Sequence, residues 1–262
     1  MRAAGDSARR ARAAALAAAG WVAALRAAAQ ETGDIPRELP PGPEVMAGVR
    51  AALPPEPWMI RAELVNLDED GEETGRRLAG LRTDFGAAAP EMAVILADAF
   101  GTERCRMVLR RPAAGPVERE YSTGDPPARA EPPPGAANVD GTEFSWDDLA
   151  LSFLWWPGGV TRDAYVKKGR PCYVVDLEAP DAGSAYARVR LWIDTTANAM
   201  LQAEGFDAGG GRVKRLAVKS LKKVGERWML EDLEVQSFPS GRRTVLRVLD
   251  SRVAAEPQAA GP

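Results

Sequence analysis

Pro171-Cys172-Tyr173-Val174-Val175-Asp176-Leu177-Glu178 and, beyond Ala182-Gly183, Tyr186-Ala187-Arg188-Val189-Arg190-Leu191-Trp192-Ile193-Asp194 decide the fold of this chain. In the first run Tyr173, Val175 and Leu177 share a side. In the second, Val189, Leu191 and Ile193 share a side, opposite Arg188, Arg190 and Asp194. An apolar period of two is that of a strand with one buried face. The same rhythm continues outward. Strands are expected at Val160–Lys168, Pro171–Glu178, Ala185–Asp194, Ala199–Asp207, Arg212–Leu221, Arg227–Ser237 and Arg242–Asp250, with turns at Gly169, Ala182-Gly183, Thr195–Asn198, Gly209–Gly211, Gly225 and Ser240-Gly241. Leu216 and Val218 sit together, as do Met229, Leu233 and Val235. Upstream, Trp58, Ile60, Ala62 and Leu64 alternate with Met59, Arg61, Glu63 and Val65. Arg76–Phe85, Met92–Ala97 and Arg104–Leu109 follow, joined at Asp70-Gly71 and Gly101.

Strands spaced near ten residues, without crossover helices between them, form an antiparallel meander. Ser122–Asn138 holds five prolines and reads as a long irregular connection. The fold class is α+β, mostly antiparallel β. A sheet of about eleven strands with one apolar face must curl or be covered. Only two apolar helices are on offer: Glu44–Leu53, with Val45, Val49, Ala52 and Leu53 on one face and Pro54-Pro55 as its stop, and a central segment.

The central segment runs Asp140-Gly141-Thr142-Glu143-Phe144-Ser145-Trp146-Asp147-Asp148-Leu149-Ala150-Leu151-Ser152-Phe153-Leu154-Trp155-Trp156-Pro157-Gly158-Gly159. Ser145 and Asp148 have the spacing of a capping box, and Pro157-Gly158-Gly159 is a stop. Between them lies a helix that is apolar nearly all round and should be buried on most sides. Gly141–Leu149 resembles the G-T-D-F-S-Y-E-D-L stretch of LolA-like outer-membrane lipoprotein-sorting proteins. Gly169–Val175 resembles that family's G-x-x-C-Y strand, and Tyr186–Asp194 its Y-x-K-V-x-L-W-I-D strand. Lys214-Arg215-Leu216 and Arg227-Trp228-Met229 fall in the strands expected after it. The resemblance covers residues 140–250 well and 44–110 by pattern. It implies an incomplete, half-open β-barrel wrapped around a few helices, with a hydrophobic interior that holds acyl chains.

The chain has 262 residues and no histidine. That removes Ser-His-Asp and Cys-His nucleophile systems and His-ligated zinc. Cys105 and Cys172 are too few for a thiolate metal site. They are expected on opposite faces of the sheet and therefore unbridged. Asp68–Glu73 superficially resembles a calcium loop but lacks ligands over twelve residues, and reads as a hairpin tip. Asp147-Asp148 reads as helix capping rather than an acid/base pair. Gly209-Gly210-Gly211 lacks a phosphate-loop lysine and is a turn. No catalytic residue, metal or cofactor is expected.

Residues 1–29 differ from the rest. Arg2, Arg9, Arg10 and Arg12 precede the charge-free Ala13–Leu25, and Ala27-Ala28-Ala29 offers small residues for cleavage. That order is a secretory signal; an Ala-rich helix is the alternative. No cysteine lies near the cut, so no lipid would be attached. Removing the segment leaves 29 basic against 36 acidic residues, an acidic product that argues against nucleic acid. No segment reads as a transmembrane span. The layout is then signal 1–29, proline-rich linker 30–43, a single LolA-like lipid-binding domain 44–253 and a disordered tail 254–262.

Two functions stay open. One is a periplasmic carrier or chaperone for lipids or lipoprotein acyl chains, with inner- and outer-membrane transport proteins as partners. The other is a non-catalytic envelope interaction or sensor module on the same fold. The carrier reading places Leu151, Phe153, Leu154, Trp155, Trp156, Tyr173, Val175, Leu177, Val189, Leu191, Ile193 and Met229 in the cavity or its lid. For the aromatics, plain core packing is the competing reading. Trp192 should face away from its neighbours Leu191 and Ile193.

Overall fold

The computed structural model describes residues 38–254 except 99, 114, 115, 225 and 226, with the side chains of 223, 224 and 227–229 also outside the description. The expected signal and most of the linker and tail therefore lie outside the described residues. After helix α1 (Gly42–Ala52) come β1 (Trp58–Leu67), β2 (Glu73–Asp84), β3 (Glu91–Ala97), β4 (Glu103–Arg110), β5 (Glu118–Thr123) and β6 (Ala128–Ala130). A short helix α2 (Trp146–Leu149) and a 3-10 turn (Ser152–Trp155) lead to β7 (Val160–Lys167), β8 (Arg170–Glu178), β9 (Arg188–Asp194) and β10 (Met200–Phe206). β11 (Arg212–Val224), β12 (Arg227–Ser237) and β13 (Arg243–Val253) follow. All thirteen strands belong to one open sheet, ordered β6-β5-β4-β3-β2-β1-β13-β12-β11-β10-β9-β8-β7. Every pairing is antiparallel.

The first and last strands zip the two halves together. Leu64 faces Leu246 and Val65 faces Val245, with a bulge opposite Arg61/Ala62. In the stretch that decides the fold, Tyr173 pairs with Ile193, Val175 with Leu191 and Leu177 with Val189. Val175, Leu177, Val189, Leu191 and Ile193 are completely buried. One apolar cluster joins this face to Val45, Met46 and Val49 of α1 and to the central segment. Full burial of each such side chain contributes up to about 3 kcal/mol.

The outer face uses arginine differently. Buried Asp176 gathers Arg162, Arg188 and Arg190 at 3.3, 3.4 and 2.7 Å. Glu63 takes Arg76 and Arg247 at 2.8 and 3.1 Å. Glu91 takes Arg82 and Arg110 at 2.9 and 2.7 Å. Opposite charges facing each other across strands support the ladder.

Two expectations need correction. Among the described residues the strands number thirteen, because β5 and β6 lie partly in the stretch expected to be irregular. They are mostly exposed and paired through backbone, so no apolar alternation marks them. The central helix is broken. Its capping box is present, but α2 lasts four residues, and Leu151 takes the left-handed conformation at φ 46° before the 3-10 turn. A run that is apolar on every side carries no period to hold one helix; the break lets consecutive Phe153 and Leu154 both be buried.

Candidate functional site

The strand order dictates where the central segment goes. β6 is one edge of the sheet and β7 is the other. The link from residue 131 to 159 must therefore cross the whole width of the sheet, and it does so over the apolar face.

The segment's N-terminal half is fixed. Ser145 Oγ accepts from the Asp148 N–H at 3.1 Å, and Asp148 Oδ2 accepts from the Ser145 N–H at 2.8 Å. Fully buried Asp148 also accepts from the Tyr186 hydroxyl through Oδ1 and from Lys214 Nζ at 3.4 Å. Burial, with the neighbouring Asp148 and Asp147 charges, pushes the Tyr186 hydroxyl well above its ordinary pKa. A Cβ on Gly205 would lie 2.2 Å from the Tyr186 ring, so only glycine leaves room for it. Ahead of the box, Thr244 Oγ1 donates to Asn66 and accepts from the Glu143 N–H, both at 2.8 Å. Asp147 is buried and its carboxyl is pushed up by that burial, although Arg119 at 3.8 Å opposes the shift.

The C-terminal half is held more lightly. Beyond the left-handed Leu151, Arg50 of α1 donates to the Leu154 carbonyl at 3.0 Å. Arg111 reaches toward the Ala150 carbonyl and Ser152 Oγ, each at 3.5 Å. Its guanidinium lies 5.1 Å from the centre of the Trp155 ring, and Trp155 tilts against Phe85 at 6.1 Å.

Beneath this half lies an apolar cavity of about 380 Å³. Its roof is Leu149–Leu151, Leu154 and Trp155. Its side is Val49, Ala52, Leu53 and Pro54, and the turn at 197–199 closes one end. The floor is Ile60, Leu81, Thr83, Met92, Val218, Leu221, Leu230, Leu233 and Leu246. A site this apolar and this size suits a small hydrophobic ligand. A second cleft, of about 710 Å³, lies by β4 and β5. There Arg77 and Arg104 are neutralised by Asp140 and Asp98 at 2.7 and 3.1 Å, so neither arginine offers a free charge.

Of the residues expected in the cavity or lid, Leu151, Leu154 and Trp155 line it. Phe153, Trp156, Val175, Leu177, Val189, Leu191 and Ile193 are buried in the same apolar cluster but lie outside the cavity lining, and Tyr173 packs on that cluster half-buried. Gly159 packs close there: a Cβ on its backbone would meet Leu177 at 2.8 Å. The side chain of Met229 lies outside the described residues. Trp192 faces away, with Lys167 Nζ 4.5 Å from its ring centre. The cavity floor thus comes from β1, β2, β3 and β11–β13. Leu233 and Val218 were visible in the sequence as an apolar side; which half of the sheet the segment leaves uncovered was not.

Cys105 sits in the inner cluster, and Cys172 is fully buried outside that cluster; both are free. Burial pushes the Cys172 thiol up to about 11 and raises that of Cys105. At the Asp68 hairpin, Asp68 Oδ1 accepts from the N–H groups of Asp70, Gly71 and Glu72, which spends that carboxylate on the turn. Among the described residues no cluster of metal-ligating side chains and no helix long and apolar enough to cross a membrane is found.

The fold is similar to solved structures. A domain from Vibrio parahaemolyticus named for outer membrane lipoprotein sorting superposes with a TM-score of 0.71 at 16% identity, covering 82% of this chain and 93% of its own. A DUF1329 family protein from Desulfovibrio piger gives 0.71 at 14%, covering 83% and 93%. A LolA superfamily protein from Nitrosomonas europaea gives 0.64 at 13%, covering 84% and 96%. A family model described as "-like: Uncharacterized protein" matches residues 129–258. No curated protein matches the sequence.

Proposed function

We propose that this chain, built on the LolA-like fold, is a non-catalytic carrier that holds acyl chains of lipids or lipoproteins in the cavity beneath residues 149–155. The observation that carries the reading is the cavity itself: about 380 Å³, apolar on roof and floor, and set within the buried apolar cluster. An acyl chain gains the same burial that drives folding, about 25 cal/mol per Å² of apolar surface. It competes with the roof for that surface, so binding favours states in which the 3-10 turn has moved. The capping cluster on Asp148 keeps the base of the segment in place while this happens.

The carrier reading extends to the cell. Residues 1–29 direct export and are removed, 30–43 serve as a linker, 44–253 form the lipid-binding domain and 254–262 are a tail. The mature protein works in the periplasm, between membrane proteins that supply and accept the lipid, in outer-membrane lipoprotein sorting. The order of charge, apolar run and alanines in 1–29 supports export, and the similarity in fold to a domain named for lipoprotein sorting supports the cargo class. Native mass spectrometry of protein from the envelope fraction, followed by lipid extraction, tests it. Bound acyl lipid and an N-terminus near Gln30 are expected. An intact Met1 with an empty cavity would overturn the reading in favour of an interaction module.

A further inference from the structure

Arg111 follows β4, where its N–H donates to the Pro90 carbonyl at 2.9 Å. Only 7% of the residue is exposed. Arg76, Arg110 and Arg190 on the outer face each hold a carboxylate at 2.7 or 2.8 Å. Among the described residues Arg111 holds none, and its Nη1 is buried with no hydrogen-bond partner. The carboxylate that acts on it, Asp147, attracts it only through space and is shared with Arg119 at 3.8 Å. Burial pushes the guanidinium down to about 10, which leaves it charged at neutral pH. A buried cation without an ion pair of its own is costly.

Its position gives that cost a use. The guanidinium lies over Trp155 and points Nη2 at the Ala150 carbonyl, and both residues are part of the cavity roof. Arg111 itself does not line the cavity while the roof is closed; we infer that it becomes an anion site at the Trp155 end when the roof moves, and there receives the carboxylate or phosphate head of the amphiphile whose chain fills the cavity. The site rests on the carrier reading and deepens it: the cargo is an anionic amphiphile rather than a neutral one. A planar guanidinium whose Nη1 has no partner and whose Nη2 is held only at 3.5 Å suits two oxygens of a carboxylate or phosphate.

The test compares palmitate with methyl palmitate, each displacing a fluorescent fatty acid, on the parent protein, Arg111→Gln and Arg111→Lys, with a thermal melt of each. The parent should bind the acid about tenfold more tightly than the ester, a gap expected for a charge-assisted hydrogen bond. Arg111→Gln should lose that preference and bind acid and ester alike, and Arg111→Lys should keep part of it. Equal binding of acid and ester by the parent overturns the anion site and leaves the carrier reading standing. Binding of neither overturns the carrier reading itself. Inorganic phosphate, tested alone, should not displace the probe; displacement that depends on Arg111 would mean a site for free anions and would overturn the assignment to a headgroup.

Discussion

Replacing Asp148 with alanine tests whether the central segment is anchored where the geometry says. The fully buried carboxylate accepts from the Ser145 N–H at 2.8 Å, from the Tyr186 hydroxyl and from Lys214 at 3.4 Å. The Ser145 N–H and the Tyr186 hydroxyl are then buried without their partner, at about 1–3 kcal/mol each. The expected loss is about 4 kcal/mol, at the upper end of single-substitution effects. Tyr186→Phe removes only one of these bonds together with its donor and should cost about 1 kcal/mol. The double variant should lose less than the two losses added, because the singles share a bond. Urea unfolding of the four proteins, with the slope unchanged, measures each term. A loss below about 1 kcal/mol for Asp148→Ala, or strict additivity in the cycle, would refute the anchor.

Gly205→Ala places a Cβ 2.2 Å from the Tyr186 ring; the ring must leave its site, and a loss of about 3 kcal/mol is expected in the same urea assay. At alkaline pH the raised Tyr186 keeps its proton in the folded state after the unfolded chain begins to lose it near 10.0. Stability should therefore fall as pH rises above that value, and Tyr186→Phe should show a shallower fall in melts from pH 9 to 11. Both cysteines should resist alkylation in the native protein at pH 8, since both are buried with raised thiols, and both should react in urea; mass spectrometry counts the adducts. Arg50→Ala frees the Leu154 carbonyl from its bond at 3.0 Å and should speed hydrogen exchange of residues 151–156 more than that of β8.

Much of the fold is legible in the sequence because strands with one buried face leave a period of two. β8 and β9 are plain from Tyr173–Leu177 and Val189–Ile193, and the turns at Gly169 and Gly241 take positive φ as glycine allows. The Ser145–Asp148 box is legible because capping is local chemistry. What a local signal cannot carry is long-range pairing. β5 and the edge strand β6 carry no run of alternating apolar residues, and the β1–β13 pairing joins residues from opposite ends of the domain. That pairing sends the central segment across the sheet, and it decides that Leu81, Val218 and Leu246 line a cavity while Val175 and Leu191 are buried outside it. Arg111 is silent in the sequence for the same reason: its meaning comes from Trp155, some forty residues away.

The central claim is that acyl chains occupy the space over β1, β2 and β11–β13, and filling that space tests it most directly. Val218 is on the cavity floor and nearly buried, so Val218→Trp should occupy the volume, whereas Trp192→Asp alters only the outer face. Titration with a fluorescent fatty acid should show binding by the parent and by Trp192→Asp, and its loss in Val218→Trp with the thermal melt still cooperative. Undiminished binding by a folded Val218→Trp would contradict the account.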